Sequence, residues 1–162
     1  MNYMRKEIIT ENFSQTKKLG EILASELRGG KIICLSGDLG AGKTTFTQGL
    51  LKGLKIKGPY TSPTFMIIKH YHKKITKHKK QITNKIQNSS ATADKIQNIY
   101  HIDAYRIKAK DILNLGWEEI IADPKNVVII EWAERIKKII PVGALWIKME
   151  WVDQNKRKVT FK

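Results

Sequence analysis

The chain has 162 residues, a formal net charge of +15 at pH 7 and 41% hydrophobic residues, which fits one domain over residues 1–162 with a core of its own. The single cysteine, Cys34, excludes an intrachain disulfide framework and a thiolate metal cluster, as expected in a reducing cytoplasm. No stretch has the apolar length of a membrane span or the character of a signal peptide. We therefore expect a soluble, cytoplasmic protein whose positive charge favours an anionic partner such as nucleic acid.

The N-terminal third of the chain predicts two strands and two helices around a glycine-rich loop. Residues 5–9 predict a short strand, and residues 14–30 have the apolar spacing of an amphipathic helix that stops at a glycine pair. Residues 31–37 form an apolar run of strand type, and residues 43–54 again have helical spacing. The order of strand, loop and helix is the context that a phosphate-binding P-loop requires.

The loop itself, SGDLGAGKTT at residues 36–45, has the P-loop spacing Gly37-x4-Gly42-Lys43-Thr44. Its glycines let backbone N–H groups face a β-phosphate at the positive end of the following helix. Lys43 is expected to reach the β- and γ-phosphates, and Thr44 to offer its hydroxyl to Mg²⁺. A plain glycine-rich turn is the alternative. The candidate nucleotide-binding residues of the loop are Gly37, Asp38, Gly40, Ala41, Gly42, Lys43, Thr44 and Thr45.

The second half of the chain continues the alternation of strands and helices. Residues 99–107 and 127–134 predict strands, with a helix over residues 110–121 between them. Residues 144–152 and 156–162 predict a terminal hairpin. Together the elements predict an α/β, P-loop NTPase-like fold: a mainly parallel sheet flanked by helices, with a C-terminal antiparallel hairpin.

Residues 72–98 interrupt this pattern. The segment carries seven lysines against one acidic residue and repeats KIQN at 85 and 95, which predicts a flexible insertion. Removing its charge still leaves the rest of the chain basic. Either the segment is a solvated surface loop, or it is an arm that contacts a phosphate backbone, such as that of tRNA.

Two carboxylates lie where the predicted strands should reach the carboxyl edge of the sheet, the place where open α/β sheets bind ligands. Glu131 ends the apolar run VVIIE and has the form of an acidic Mg²⁺ partner of Thr44, with an ordinary acidic residue at a strand exit as the alternative. Asp103 either orients or deprotonates an attacking water, or is a structural carboxylate paired with Arg106. Residues 61–65, TSPTF, are interpreted as a loop that responds to the γ-phosphate or as a plain turn.

Four stretches in this order, GDLGAGKTTFTQGL, SPTF, HIDAYRI and IIEWAE, resemble the bacterial tRNA threonylcarbamoyladenosine biosynthesis ATPase family TsaE, also called YjeE. The resemblance spans nearly the whole chain. It implies a P-loop ATPase that uses ATP and Mg²⁺ and works with TsaD and TsaB, which transfer a threonylcarbamoyl group to adenosine 37 of tRNA. In that family the ATPase supports turnover of the complex and does not make the transfer itself.

The resemblance also implies site residues. Residues 40–45 match the family's phosphate-binding loop, Thr44 and Glu131 match its Mg²⁺ ligands, and Asp103 falls on an acidic position important for hydrolysis. Lys43, Asp103 and Glu131 are therefore the expected catalytic residues. The positions expected beside the nucleotide, its base and its ribose are Trp132, Phe13, Lys156 and Arg157. The segment at 72–98 is longer than the family's usual link.

Two other classes of function stay open from the residues alone. A small P-loop kinase would use the same loop, although the arginines are scattered singly and form no arginine-rich lid. A nucleotide-switched RNA-binding module is favoured by the charge alone, without an RNA-binding motif. The guanine-reading Asn/Thr-Lys-x-Asp stretch is missing from the sequence, which favours ATP over GTP.

Overall fold

The computed structural model describes residues 6–63, 66–73 and 96–162. These residues form a seven-stranded sheet with the order β1-β7-β6-β2-β5-β4-β3. The strands are β1 (Lys6–Thr10), β2 (Lys31–Ser36), β3 (Ile68–His72), β4 (Asn98–Asp103), β5 (Asn126–Glu131), β6 (Leu145–Trp151) and β7 (Arg157–Phe161). The helices are α1 (Phe13–Glu26), α2 (Lys43–Gly53), α3 (Ala109–Leu113) and α4 (Trp117–Ala122), with a 3₁₀ segment at Ala133–Ile139.

The sheet is parallel at its centre and antiparallel at both edges. The four central strands β6, β2, β5 and β4 run parallel. The near-continuous apolar runs of β2 and β5 are typical of strands covered on both faces. Strand β3 pairs antiparallel with β4 at one edge, and β7 pairs antiparallel with both β6 and β1 at the other. The predicted α/β class and terminal hairpin are confirmed, but the sheet is mixed because both edges add antiparallel strands.

Helices α1 and α2 cover one face of the sheet and pack unusually close to each other. A Cβ atom on Gly49 would lie 2.0 Å from the carbonyl oxygen of Lys17, and one on Gly20 would lie 2.4 Å from that of Phe46. Only glycine allows the two helix backbones to approach this far. The contact matters for the site because α1 begins at Phe13 and α2 begins at Lys43.

The opposite face is covered by α3, α4 and the 3₁₀ segment, which pack around the buried side chain of Trp117. The indole Nε1 of Trp117 donates to the carbonyl of Ile139 at 3.1 Å. The prediction of one helix over residues 110–121 is wrong. The helix is broken at Gly116, whose φ of 80° lies in the left-handed region and ends the helical turn before α4.

The sheet register aligns the ends of the central strands. Asp103, the last residue of β4, lies opposite Glu131, the last residue of β5, and Leu35 of β2 lies on the other side of Glu131. Side chains alternate along a strand, so His101 and Asp103 share the face of the sheet that α2 covers. The loop after β2 and the two carboxylates therefore meet at one edge of the sheet.

The ends of the predicted insertion belong to the sheet. His72 closes β3, Asn98 opens β4, and Ile96 is buried against the core below α2. The backbone N–H of Lys73 donates to the carbonyl of Gln97 at 2.7 Å, which continues the ladder between these strands. The rest of the insertion, residues 74–95, lies outside the described residues, so its flexibility stays a prediction.

Strand β3 was missed by the sequence analysis because its IKHYH stretch is polar and half exposed at an edge. None of the helices formed by the described residues is both long and apolar enough to cross a membrane.

Candidate functional site

The glycine-rich loop connects the end of β2 to the start of α2, as the sequence predicts. Gly37 has a φ of 133°, and a Cβ there would lie 2.0 Å from the carbonyl oxygen of Met149 on β6. Gly42 has a φ of 96° and caps α2 in the left-handed conformation. Both positions require glycine, and together they turn the first N–H groups of α2 toward the open side of the loop. A helix start of this kind attracts anions.

Lys43 lies folded back over the loop and is only 5% exposed. Its Nζ donates to the carbonyls of Gly37 at 2.5 Å and Asp38 at 2.8 Å and lies 3.5 Å from the centroid of the Trp132 ring. Burial lowers the pKa of Lys43, while nearby carboxylates, first that of Glu134, act to raise that pKa. The site thus holds a partly desolvated ammonium beside the loop, a suitable partner for a phosphate.

Thr44 and Glu131 are in direct contact. The Thr44 hydroxyl donates to Oε2 of Glu131 at 2.7 Å, and Oε1 of Glu131 lies 2.8 Å from Nε2 of His101. Glu131 is 1% exposed, so its carboxylate is buried with a hydrogen-bonding partner on each oxygen. This pairing satisfies a group that would otherwise be strongly unfavourable in the interior.

Asp103 lies beside Glu131 at the same sheet edge and is 6% exposed. Its Oδ2 accepts a hydrogen bond from the Ser62 hydroxyl at 2.8 Å, and its Oδ1 accepts one from the backbone N–H of Tyr105 at 2.9 Å. Ser62 belongs to the TSPTF loop, so the loop is bonded directly to this carboxylate. Thr64 of the same loop lies outside the described residues.

These groups surround a cavity of about 440 Å³, a volume typical of small-molecule sites. Ten predicted site residues line it: Phe13, Gly40, Gly42, Lys43, Thr44, Thr45, Asp103, Glu131, Trp132 and Arg157. The other predicted loop residues, Gly37, Asp38 and Ala41, are not part of the lining, but the carbonyls of Gly37 and Asp38 accept hydrogen bonds from Lys43. Lys156 pairs instead with Glu11, at 3.0 Å.

Trp132 and Arg157 both line the cavity. Trp132 has a φ of 60° directly after β5, a conformation that is strained for a bulky side chain and is often found at functional sites. Its ring packs against Tyr105 with centroids 4.8 Å apart. Arg157, at the start of β7, donates from Nε to the carbonyl of Gly40 at 2.9 Å. The terminal hairpin is thereby tied to the glycine-rich loop.

The donor set at Thr44 and Glu131 fits a Mg²⁺ ion. Mg²⁺ prefers hard oxygen ligands and usually takes one or two from the protein, the rest being water and substrate phosphates. A hydroxyl and a carboxylate oxygen 2.7 Å apart at the foot of the glycine-rich loop supply such a pair. Within residues 6–63, 66–73 and 96–162, no group of three or more His, Cys, Asp or Glu side chains could hold a metal by itself.

Comparison with known proteins agrees with this geometry. The family model described as "Threonylcarbamoyl adenosine biosynthesis protein TsaE" matches residues 10–159. The chain belongs to the TsaE family. It is 36% identical to the tRNA threonylcarbamoyladenosine biosynthesis protein TsaE of Aquifex aeolicus, over 95% of this chain and 93% of that protein. The corresponding Bacillus subtilis protein is 33% identical, over 94% of this chain and 82% of that protein.

The TsaE fold is also similar in three dimensions to a solved structure. The crystal structure of Bacillus subtilis YdiB matches with a TM-score of 0.69 and 28% sequence identity, and the match covers 98% of this chain and 84% of that one. The family resemblance inferred from the four sequence motifs is therefore confirmed, as is the P-loop NTPase-like fold.

The structure adds residues to this TsaE site that the sequence analysis did not assign. His101 contacts Glu131, and the lining of the cavity includes Thr16, Tyr105, Gln154 and Asn155. The signal for His101 was its place two residues before Asp103 on a strand, because such residues share a face. The hairpin residues carried no such signal, since only the paired β6 and β7 bring their turn to the glycine-rich loop.

Proposed function

We propose that this chain is the ATP-binding and ATP-hydrolysing component of tRNA threonylcarbamoyladenosine biosynthesis. Membership in the TsaE family supports the pathway. The observation that carries the ATPase assignment is the meeting of Lys43, Thr44 and Glu131 in one cavity beneath a glycine-rich helix start. That set combines an ammonium for phosphate oxygens with the oxygen donors for Mg²⁺.

In this proposal the loop N–H groups and Lys43 bind the β- and γ-phosphates, and Thr44 and Glu131 hold Mg²⁺. When bound, Mg²⁺ neutralises the charge that develops on the transferred phosphoryl group. Phe13, at the open mouth of the cavity and 74% exposed, and Arg157 flank the space expected for the base and ribose.

Asp103 acts on the attacking water. Water adds to the γ-phosphorus, the bond to the bridging oxygen of ADP breaks, and Asp103 orients the water and accepts its proton on the way to inorganic phosphate. The Ser62 hydroxyl holds Oδ2 of Asp103, so a shift of the TSPTF loop would change the direction in which this carboxylate points. The site chemistry and the loop are therefore coupled.

We further propose that hydrolysis supports turnover of a TsaD–TsaB transferase complex and that tRNA is met through that complex, in the cytoplasm. Among the described residues, the lining of the cavity includes two arginines, Arg106 and Arg157. Arg157 is hydrogen-bonded to Gly40 and to the carbonyls of the hairpin. Transition-state charge stabilisation by an arginine then depends on Arg106 or on a docked partner. Weak hydrolysis by the isolated chain is the expected consequence.

The test is single-turnover hydrolysis of ATP by the chain alone, with TsaD and TsaB, and with tRNA added. We expect slow release of phosphate from the chain alone and a large acceleration with the partners. Asp103→Asn should abolish the acceleration, while Glu26→Gln, an exposed carboxylate at the end of α1, should not. Fast hydrolysis whose rate is the same with and without the partners would refute the coupling. Transfer of the γ-phosphate to an acceptor molecule, in place of release as free phosphate, would indicate a kinase.

A further inference from the structure

His101 is a buried imidazole next to the proposed metal site. It lies on β4 two residues before Asp103 and is 1% exposed. Its Nε2 is 2.8 Å from Oε1 of Glu131, and both side chains are 2% exposed. The pair lies diagonally across the neighbouring strands β4 and β5, on the face that carries Thr44 above it.

Among the described residues, the hydrogen-bonding partner of His101 is Glu131. To bond a carboxylate, Nε2 must donate its N–H, because the carboxylate oxygen is an acceptor. The other ring nitrogen, Nδ1, is buried and has no hydrogen-bonding partner within the part of the chain that the structure describes. A side chain that only filled space would be apolar, since an unpaired buried nitrogen is unfavourable. We take the N–H donor of His101 at Nε2 to serve the Glu131 carboxylate.

The two oxygens of Glu131 have different partners. Oε1 contacts an imidazole that the sheet holds in place, whereas Oε2 contacts the Thr44 hydroxyl at the foot of the glycine-rich loop. Thr44 and Oε2 are the two groups that can turn together toward a cation. The hydrogen bond to the imidazole occupies Oε1, so Oε2 is the carboxylate oxygen on the side of the glycine-rich loop.

We propose that His101 is a positioning residue that fixes the Glu131 carboxylate so that Oε2 faces the divalent cation. The inference rests on the proposed function. Hydrogen-bond partners of metal-binding carboxylates orient the ligand, and their loss commonly weakens metal affinity 10- to 100-fold. His101 therefore sets how strongly Mg²⁺ binding and nucleotide binding support each other, without touching either ligand.

Three variants of His101 test this role. His101→Leu removes the donor, His101→Gln keeps an amide N–H near the position of Nε2, and His101→Asn holds its amide too far back to reach Oε1. The measurement is the affinity for a fluorescent ATP analogue in excess Mg²⁺ and in EDTA, together with Mn²⁺ titration by electron paramagnetic resonance. We expect the leucine and asparagine variants to lose 10- to 100-fold in two quantities: the increase in affinity for the ATP analogue that Mg²⁺ produces relative to EDTA, and the affinity for Mn²⁺. Glutamine should restore both to within a few-fold, and the affinity in EDTA should change little.

A Glu131→Gln background separates positioning from packing. There the loss of His101 should have no further effect on Mn²⁺ affinity, because the ligand that it positions is already altered. Wild-type Mn²⁺ affinity in His101→Leu, or equal losses in the glutamine and leucine variants, would overturn the inference while leaving the proposed function in place. If the nucleotide affinity of the wild-type chain is the same with and without Mg²⁺, both the role of His101 and the proposed function are overturned. If the leucine variant does not fold, the comparison of glutamine with asparagine decides.

Discussion

Replacing Thr44 with valine removes one hydroxyl and keeps the β-branched shape of the side chain. In the structure this hydroxyl donates to Oε2 of Glu131 at 2.7 Å, and Glu131 is 1% exposed. The substitution leaves one oxygen of a buried carboxylate without its donor. It also removes one of the two protein oxygens proposed for Mg²⁺. We therefore expect Thr44→Val to lower both the free energy of unfolding and the Mg²⁺-dependent part of nucleotide binding.

The size of the stability effect follows from the geometry. A hydrogen bond to a charged group contributes about 1.5–3 kcal/mol, and leaving a buried partner unsatisfied places the loss in that range. For a chain of this size each kcal/mol lowers the unfolding temperature by about 2–4 °C, so the expected decrease is about 3–12 °C. Thr44→Ser is the matched control: it keeps the hydroxyl and loses one methyl group, which contributes at most about 0.8 kcal/mol.

The assay combines thermal unfolding of the ligand-free chain with titration of a fluorescent ATP analogue in Mg²⁺ and in EDTA. We expect the valine variant to lose at least about tenfold of the Mg²⁺-dependent gain in affinity and the serine variant to keep most of it. If Thr44→Val retains the full Mg²⁺-dependent gain in nucleotide affinity, Thr44 is not a Mg²⁺ ligand. If valine unfolds at the wild-type temperature, the hydrogen bond to Glu131 does not hold the buried carboxylate.

Lys43→Ala should weaken ATP binding about 10- to 150-fold, the equivalent of a charge-assisted contact of about 1.5–3 kcal/mol, and calorimetry should find the affinity unchanged in Lys52→Ala, an exposed lysine on the same helix. Gly49→Ala should destabilise the fold by about 1–3 kcal/mol, read as a lower denaturant midpoint, because its Cβ would lie 2.0 Å from an α1 carbonyl; an unchanged midpoint would show that the helices separate freely. Deleting residues 74–95 and joining β3 to β4 with a short glycine-serine linker should leave the unfolding temperature and ATP affinity nearly unchanged, since the backbones of the flanking residues are already hydrogen-bonded. A large loss of stability would show that the deleted segment packs on the domain.

The sequence by itself determined the parts of this protein that depend on local chemistry. The loop from Gly37 to Thr44 is readable because backbone conformation and phosphate contacts require those residue types at that spacing. Glu131 was readable because it ends an apolar run, and Asp103 because it falls at the carboxyl edge of another predicted strand. The ends of neighbouring parallel strands meet at one edge of a sheet. The α/β class followed from the alternation of predicted strands and helices along the chain.

Tertiary structure decided what depends on distant pairing. The break at Gly116 is a choice of backbone conformation that apolar spacing alone did not reveal. Strand β3 is stabilised by its ladder with β4, since its own residues are polar and half exposed. The hydrogen bond from His101 to Glu131 joins residues 30 positions apart, and its existence depends on the register of β4 against β5. Spacing along the chain identifies the residues that can take part in binding or catalysis, whereas the register of the sheet decides which of them are in contact.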